Sequence, residues 1–492
     1  MNKIKQNDLV KIFLNFESEK NLFNDSVLKV KYWHLIRISV FNQIQEVRFE
    51  LGEAHTNLRN TSVIKKVLLK FKQIKYFIFN NPLLSFKQKD ILLLNHQRRV
   101  KENDYYTCLY TDLLIDQINH SNVVLEEPLL EKHLIPTKHN NIVYTDYINF
   151  IVAIKKRLFK KRLSFENKQK ISDLTNNLNE TFNMTFEVEE LEQLIYNTAI
   201  SFKFRVKYYK KILRRIKPKV IIEVVSYGLS RYVINHVSKD LNIPTIELQH
   251  GTMGSYHIAY NFKEKINLST FPDYIFTFGQ LWKDNTRLPI KDENIKVVGW
   301  PYYENKINYY NSQEQSSNNT KTILFISQGT IGKPLSKMAV ELRKLIDANY
   351  KIIYKLHPGE YARWKNEYPW LIDSNIKVID HNNHDMHYYF AMSNIQVGVA
   401  STALFEGIGY NLPTFVLPFY GYHYLEDLIS KDVVKLVNNV KELNESIINL
   451  AFQSNKDNYK KVKEYLWHKN SLDTMLNEIN TIIEGQKYDE QD

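Results

Sequence analysis

The sequence predicts an α/β protein with two doubly wound parallel sheets that face each other across a cleft, together with additional N-terminal helices. Two series of apolar strand-like segments alternate with helical segments, one on each side of the polar stretch at residues 313–320. Each series places a histidine directly after a strand, His250 in the first and His357 in the second. The 492 residues favour two domains over a single core.

The first series follows a helical region of about eighty residues rich in lysine, asparagine and aromatic residues. Its strands are apolar runs bounded by polar or turn-forming residues, which we place at residues 90–95, 122–125, 220–225, 244–248, 272–279 and 295–299. Helical periodicity predicts long helices between residues 147 and 216, ended by Pro218, and one more over 230–241.

The second series has the same plan. Its strands are expected at residues 322–327, 351–356, 377–379, 396–399 and 414–417, and its helices at residues 335–348, 403–409 and from about 441 onward. The last residues, 486–492, are expected to fray. We therefore predict a Rossmann-like domain with helical insertions over residues 1–304, and a second Rossmann-like domain with a helical tail over residues 305–492.

The cysteine content and the lengths of the apolar runs indicate the cellular compartment in which we expect the protein. Cys108 is the single cysteine, which excludes an intramolecular disulfide and a cysteine-based zinc site. The first residues lack the apolar run of a signal peptide, and no stretch of roughly 18 uncharged apolar residues is present. We expect a cytoplasmic protein, with a peripheral position at the inner face of the cell membrane as a further hypothesis.

The formal net charge of +12 is concentrated in two stretches, at residues 155–162 and 203–219. Aromatic and aliphatic residues interleave both, as in basic helices that lie on an anionic membrane. A solvated helix face, an anionic membrane or lipid-linked acceptor, and nucleic acid are the alternatives. Nucleic acid is the least favoured, because no recognised nucleic-acid module accompanies the charge.

Three short motifs follow predicted strands. They are Gln249-His250-Gly251-Thr252, Lys355-Leu356-His357-Pro358-Gly359-Glu360 and Ser401-Thr402. Open parallel sheets bind ligands at the carboxyl ends of their strands, and the N–H groups at a helix N-terminus bind phosphate. The motifs therefore indicate a transferase cleft.

The order of these motifs, with Gly299-Trp300-Pro301 between the first two, resembles inverting glycosyltransferases of the GT-B fold that build bacterial surface polysaccharides. Capsule and lipopolysaccharide transferases, bacterial polysialyltransferases and CDP-glycerol glycerophosphotransferases look similar. The resemblance covers roughly residues 220–437. It implies an acceptor side in residues 1–304 and a nucleotide-donor side in residues 305–492.

Transfer from a nucleotide donor needs a base near the acceptor hydroxyl, and an imidazole suits that role at neutral pH. We choose His250 as this base, with Gly251 and Thr252 on the acceptor side. Glu247 is expected to orient His250 or to replace it, and Glu223 is a weaker candidate. The alternative is that His250 only packs or caps its loop.

On the donor side, His357 is expected to reach the donor phosphate, because Pro358 fixes the backbone that follows it. Lys355 can assist, although strand alternation can also turn it to the wrong face.

Ser401 and Thr402 offer hydroxyl and N–H groups to phosphate, and Glu406, one helical turn on, offers a carboxylate to ribose hydroxyls. The alternative is that Ser401 merely caps the helix. Gly329 lies in another phosphate-facing loop, which is not a Walker motif because Pro334 stands where the metal-binding Ser or Thr belongs.

His381, His384, Asp385 and His387 lie close together in sequence, but the loop composition and the resemblance favour a polar loop near the nucleotide base. We see no convincing Asp-x-Asp metal motif. The prediction is a metal-independent enzyme without a cofactor.

The function predicted from the sequence is an inverting glycosyltransferase that moves a sugar from a nucleotide-sugar donor to a growing bacterial surface glycan, free or lipid-linked. The His-Pro and Ser-Thr pairing favours a CMP-linked donor. The alternatives are a CDP-glycerol-type polyol-phosphate transferase, and a catalytically silent glycan-binding or assembly protein.

Overall fold

The computed structural model describes residues 6–49, 76–84, 87–97, 99–102, 104–129, 132–159, 162–313, 321–449 and 456–489. Most of the predicted loop at 313–320, residues 50–75 of the predicted helical region and residues 490–492 of the predicted frayed end lie outside these ranges.

The N-terminal half contains a seven-stranded sheet and two small hairpins. Its strands are β1 (Ser26–Val27), β2 (Val30–Lys31), β3 (Ile91–Leu94), β4 (Val100–Glu102), β5 (Tyr105–Thr107), β6 (Asn122–Glu126), β7 (Ile142–Tyr144), β8 (Val220–Val224), β9 (Thr245–Leu248), β10 (Tyr274–Thr277) and β11 (Ile295–Val297). The sheet order is β11-β10-β9-β8-β3-β6-β7, with every neighbouring pair parallel.

The C-terminal half contains a six-stranded sheet in the order β14-β13-β12-β15-β16-β17, also entirely parallel. Its strands are β12 (Lys321–Ile326), β13 (Tyr350–Lys355), β14 (Lys377–Ile379), β15 (Ile395–Gly398), β16 (Thr414–Val416) and β17 (Val434–Leu436). The predicted fold class of two doubly wound sheets is confirmed. Strand order reverses between β3 and β8 in the first sheet and between β12 and β15 in the second, which creates the crevices where such sheets bind ligands.

Helices cover the sheets. They include α1 (Gln6–Glu19), α2 (Trp33–Phe49), α3 (Asp112–Gln117), α4 (Asp146–Leu158), α5 (Phe165–Phe182), α6 (Val188–Ile216), α7 (Leu229–Lys239), α8 (Gln280–Asp284), α9 (Pro301–Asn311), α10 (Gly332–Leu345), α11 (Trp364–Glu367), α12 (Met386–Ala391), α13 (Thr402–Gly409), α14 (Glu426–Ser430), α15 (Val440–Asn449), α16 (Lys456–Leu466) and α17 (Ser471–Asp489). The predicted N-terminal helices are thus present as α1 and α2. None of the described helices combines the length and the apolar composition that a membrane span requires.

The N-terminal sheet has a core on each face, because alternate residues of a strand point to opposite sides. On one face Leu92 and Ile221 pack with Ile212 of α6 and Val233 of α7. The opposite face packs with the last of the described helices, α17, through apolar side chains that include Met475, Ile479, Ile482 and Ile483. Since α17 lies on the first sheet although it follows the second in sequence, the chain crosses between the two halves twice. The boundary between residues 304 and 305 stays a prediction.

The carboxyl ends of the two sheets approach each other. Thr252, in the loop after β9, donates its N–H to the Thr402 hydroxyl at 3.1 Å, and the two hydroxyl oxygens are 2.9 Å apart. Tyr256 from the same loop donates to Glu426 of α14 at 2.5 Å. The two sheets therefore face each other across a cleft, as predicted.

Candidate active site

The loops after three neighbouring strands of the first sheet bring His96, Tyr227 and His250 together. Nε2 of His250 lies 3.0 Å from the Tyr227 hydroxyl. The rings of His96 and His250 are nearly parallel, at 21° with centroids 6.0 Å apart. Since β3 and β8 flank the reversal of strand order, this cluster occupies the crevice of the first sheet.

Tyr110 holds the backbone of the His250 loop. Its hydroxyl donates to the His250 carbonyl oxygen at 2.6 Å. Its ring stacks on Trp300 with centroids 5.3 Å apart and 10° between the planes. Trp300 in turn donates its indole N–H to the Leu109 carbonyl at 3.1 Å. The Gly-Trp-Pro motif thus supports the histidine loop through an aromatic stack.

The turn after β8 is strained. Val225 has φ of 69°, a left-handed conformation that is rare for a β-branched residue. One oxygen of Glu247 accepts from the next N–H, that of Ser226, at 3.1 Å and from the Tyr260 hydroxyl at 2.6 Å. Strain of this kind persists only where the surroundings enforce it. Glu247 therefore fixes the turn that presents Tyr227 to His250.

Glu247 and Glu223 are both fully buried and lie opposite each other on β9 and β8. Burial raises the pKa of both carboxyl groups, and that of Glu223 rises to about 8. Asn235 of α7 donates to Glu223 at 2.8 Å. Glu247 thus reaches the histidine cluster through Ser226 and Tyr260, and its predicted role as a base stays a prediction.

The crevice of the second sheet lies between the loops after β12 and β15. The side chain of Gln328 accepts from the Ala400 N–H at 3.2 Å and so ties the loop that contains Gly329 to the start of α13. The Ser401 hydroxyl accepts from the Ala403 N–H at 3.3 Å, the geometry of an N-cap. The structure therefore gives Ser401 a capping contact, and the Thr402 hydroxyl bonds to Thr252 of the other half. Phosphate binding at this helix start stays a prediction.

His357 caps the short 3-10 helix Pro358–Glu360. The ring Nδ1 of His357 accepts from the Gly359 backbone N–H at 3.1 Å, and the backbone N–H of His357 donates to the Glu360 carboxylate at 2.7 Å. A neutral imidazole that accepts at Nδ1 has its proton on Nε2. His357 is thereby set as a hydrogen-bond donor, which is the form that a phosphate oxygen needs.

Glu360 anchors the His357 loop. Its second oxygen accepts from the hydroxyls of Ser327 at 3.0 Å and Tyr368 at 2.9 Å. Burial raises the pKa of Glu360, which is fully enclosed. This network links the loop after β13 to the loop after β12.

Lys355 and Glu406 have mainly internal contacts. Lys355 donates to the Tyr361 hydroxyl at 2.5 Å and to the His381 carbonyl at 3.3 Å, and burial lowers its pKa to about 8. Glu406 lies 3.8 Å from Nε2 of His387, and burial raises its pKa to about 7. Both side chains therefore contact other residues of the protein beside the second crevice. Their predicted contacts with the nucleotide donor stay predictions.

No group of three or more His, Cys, Asp or Glu side chains within the described ranges is arranged to hold a metal ion. Asp385, from the histidine-rich loop, instead pairs with Lys306 of α9 at 2.7 Å, and Lys306 also pairs with Glu102 of β4 at 2.9 Å.

The sequence analysis gave no role to three contributors: His96, Tyr227 and Glu360, of which only Glu360 was named, as part of the His357 motif. The rule that found His250 also applies to His96 and Tyr227, because each follows a predicted strand within three residues. Glu360 stands at the third position after the His357 cap, where a capping-box carboxylate belongs.

No protein-family model matches the chain, and no curated protein matches it in sequence. Solved structures match its fold. The UDP-GlcNAc 2-epimerase from Methanocaldococcus jannaschii is 13% identical with a TM-score of 0.48, over 80% of this chain and 99% of that one. The UDP-GlcNAc 2-epimerase from Neisseria meningitidis bound to UDP-GlcNAc is 12% identical with a TM-score of 0.48, over 80% and 99%. The wall teichoic acid polymerase TagF is 11% identical with a TM-score of 0.45, over 86% and 96%. These are likenesses of fold alone.

Proposed function

We propose that the protein is a metal-independent inverting glycosyltransferase that moves a sugar from a nucleotide-sugar donor to a growing surface glycan, free or lipid-linked. The observation that carries the proposal is the contact between Thr252 and Thr402, which joins the loop of His250 to the helix start beside the second crevice. A base and a phosphate-binding helix start then border one cleft, as group transfer requires.

In the proposed reaction, His250 takes the proton of an acceptor hydroxyl. The acceptor oxygen attacks the anomeric carbon of the donor sugar from the face opposite the leaving group. The bond from that carbon to the donor phosphate oxygen breaks, and the nucleotide leaves with the electron pair. His357 donates from Nε2 to a phosphate oxygen, and the N–H groups that begin α13 add positive potential there.

Two other functions share this geometry. A polyol-phosphate transferase with a CDP-glycerol-type donor needs the same base, but its attacked atom is the phosphorus next to glycerol. A silent glycan-binding or assembly protein keeps the cleft and lacks turnover. Incubation of the wild-type chain with each donor and an acceptor, followed by mass spectrometry of the product, separates a sugar increment, a glycerol-phosphate increment and no increment.

A panel of CMP, CDP, UDP, GDP and their sugars tests the donor preference. We expect a cytidine nucleotide to raise the thermal midpoint most, since ligand at about a hundred times its dissociation constant stabilises by about 2.7 kcal/mol. A larger shift with UDP or GDP would make the cytidine preference wrong. If none of the nucleotides shifts the midpoint, the glycan-binding function gains support.

An exposed apolar stripe adds support for contact with a membrane. Phe150, Ile154 and Leu158 recur every four residues along α4 and are 50%, 39% and 74% exposed. The last turn of the same helix contains three basic residues, Lys155, Lys156 and Arg157. By contrast, four apolar residues of the second basic stretch, Tyr208, Tyr209, Ile212 and Leu213, are buried in the core. Thus α4 has the apolar face and the basic flank of a helix that lies on an anionic bilayer.

Sedimentation with lipid vesicles tests this contact. Binding should be strong with phosphatidylglycerol vesicles, weak with phosphatidylcholine, and lower as salt rises. We expect the Phe150→Ser/Leu158→Ser variant to bind at least about thirtyfold more weakly, because each of the two side chains loses apolar burial worth about 1 kcal/mol or more. The Tyr309→Ser variant removes an exposed ring on α9 and is the matched control. Equal binding to both lipids, or a preference for RNA, would contradict the proposal.

A further inference from the structure

A cavity of about 710 Å³ lies away from the cleft, between the two segments that cross from one sheet to the other. One wall is α9, which follows β11, and the other is α16 with the residues that lead into α17. Its third side is the C-terminal end of α13 around Gly409, whereas the N-terminal end of α13 borders the cleft. The volume falls in the usual range for small-molecule sites. We call this cavity the crossover groove.

Aromatic rings form the floor of the crossover groove. Tyr303 and Trp467 have ring centroids 4.0 Å apart. Tyr459 lines the groove as well. The polar atoms of all three rings are used internally: the Tyr303 hydroxyl donates to the Glu406 carbonyl at 3.0 Å, the Trp467 indole N–H to the Phe405 carbonyl at 3.3 Å, and the Tyr459 hydroxyl to the Leu412 carbonyl at 2.6 Å. These bonds fix the rings, so the floor is formed before any ligand arrives. A rigid aromatic floor suits the apolar face of a sugar ring.

The rim of the crossover groove has an excess of positive charge. Both of its carboxylates are engaged: Glu304 accepts from the N–H groups of Asn470 and Ser471 at 2.9 and 2.8 Å, and Glu464 pairs with Lys469 at 3.3 Å. Lys460 and Lys463 line the rim as well.

Among the side chains that the structure describes, which exclude those of residues 456–458, no carboxylate pairs with Lys460 or Lys463. Lys463 donates to the neutral side chain of Asn411 at 3.0 Å. Burial and the neighbouring Lys469 lower the pKa of Lys463, as expected of an ammonium group that lacks an anion. Three lysines, Lys460, Lys463 and Lys469, line the groove against the two carboxylates, and this net positive charge above an aromatic floor favours an anionic ligand with a ring.

The placement of the two lysines narrows the choice of ligand. Lys460 and Lys463 lie three residues apart on α16, so they are neighbours on one face of the helix. A saccharide with one negative group on each residue carries its charges beside sugar rings and fits both the two lysines and the aromatic floor. We propose that the crossover groove is a second binding site that takes an acidic saccharide, and this proposal does not depend on the reaction in the cleft.

Calorimetric titration of the full chain with trigalacturonic acid tests the proposal, with its neutral methyl ester as the matched ligand. Galactose 1-phosphate forms a second arm that separates phosphate from carboxylate as the preferred anion. We expect the acid to bind at least about tenfold more tightly than the ester, because each charge-assisted hydrogen bond contributes more than a neutral one. Saturating CDP should not displace it.

Lysine variants test whether the saccharide binds in the crossover groove. Lys460→Gln/Lys463→Gln should weaken acid binding at least about tenfold, while Lys461→Gln, an exposed neighbour that does not line the groove, should change it by less than about twofold. Unchanged melting temperatures check folding. The proposal is overturned if neither trigalacturonic acid nor galactose 1-phosphate binds, or if the double variant binds as the wild type does. It is also overturned if the Lys461→Gln control loses as much binding as the double variant. Displacement of the saccharide by CDP would place it in the cleft and would overturn the proposal too.

Discussion

His250→Ala should reduce turnover by about a hundred- to ten-thousand-fold, the usual contribution of a general base. The physical reason is that the acceptor oxygen must lose its proton as it attacks, and His250 is the imidazole that the Tyr227 hydroxyl holds in the first crevice. Steady-state assays of nucleotide release in the presence of the acceptor measure the loss. Donor affinity by calorimetry should stay near the wild-type value, because the proposed donor site lies in the other half.

Matched variants separate chemistry from packing. His250→Gln should not restore turnover, since an amide donates and accepts hydrogen bonds but is not a useful base. His236→Ala removes an imidazole near the far end of α7, which runs back from the carboxyl edge of the sheet, and should keep wild-type turnover. If His250→Ala retains most of its activity, the base is Glu247 or another carboxylate, and our assignment of His250 is wrong.

His357→Ala should weaken nucleotide binding by about tenfold to a hundredfold and lower turnover with it, because a hydrogen bond to a charged group is worth about 1.5–3 kcal/mol. Calorimetric titration with the nucleotide that gives the largest thermal shift measures the loss. The residue has two roles in the structure, since Nδ1 also caps the helix Pro358–Glu360.

His357→Asn distinguishes the two roles. Asparagine keeps an N-cap acceptor but does not reach as far as Nε2. We expect the Asn variant to regain stability and to bind nucleotide as poorly as the Ala variant. Ser401→Ala should have a smaller effect on binding, because the backbone N–H groups at the start of α13 remain. Wild-type nucleotide affinity in both His357 variants would remove this residue from the donor site.

The parallel strands were predictable because buried strands are continuous apolar runs, such as Ile91–Leu94 and Val220–Val224. The edge strands β7 and β17 were missed, because Ile142–Tyr144 and Val434–Leu436 are only three residues long and resemble ordinary loop segments. Sheet order was also beyond the sequence, since pairing between distant segments leaves no local pattern.

For the candidate site, the sequence predicted which loops contain the candidate residues, but not which side chains contact each other. Strand ends identified His250 and His357, and helix-start chemistry identified Ser401. The sequence could not reveal that Glu247 accepts from the Ser226 N–H, because that contact depends on the left-handed turn at Val225. It also could not reveal that Lys355 turns toward Tyr361. Such details depend on tertiary packing.

The return of α17 to the first sheet affects the order in which the protein is made and folded. The ribosome makes the strands of that sheet long before residues 471–489, so the part of one face that α17 covers lacks its partner while the second half is synthesised. Each of Met475, Ile479, Ile482 and Ile483 then buries apolar surface worth about 1.5–3 kcal/mol. Part of an apolar sheet face therefore stays exposed to solvent during elongation, and the first half completes its core only when α17 emerges.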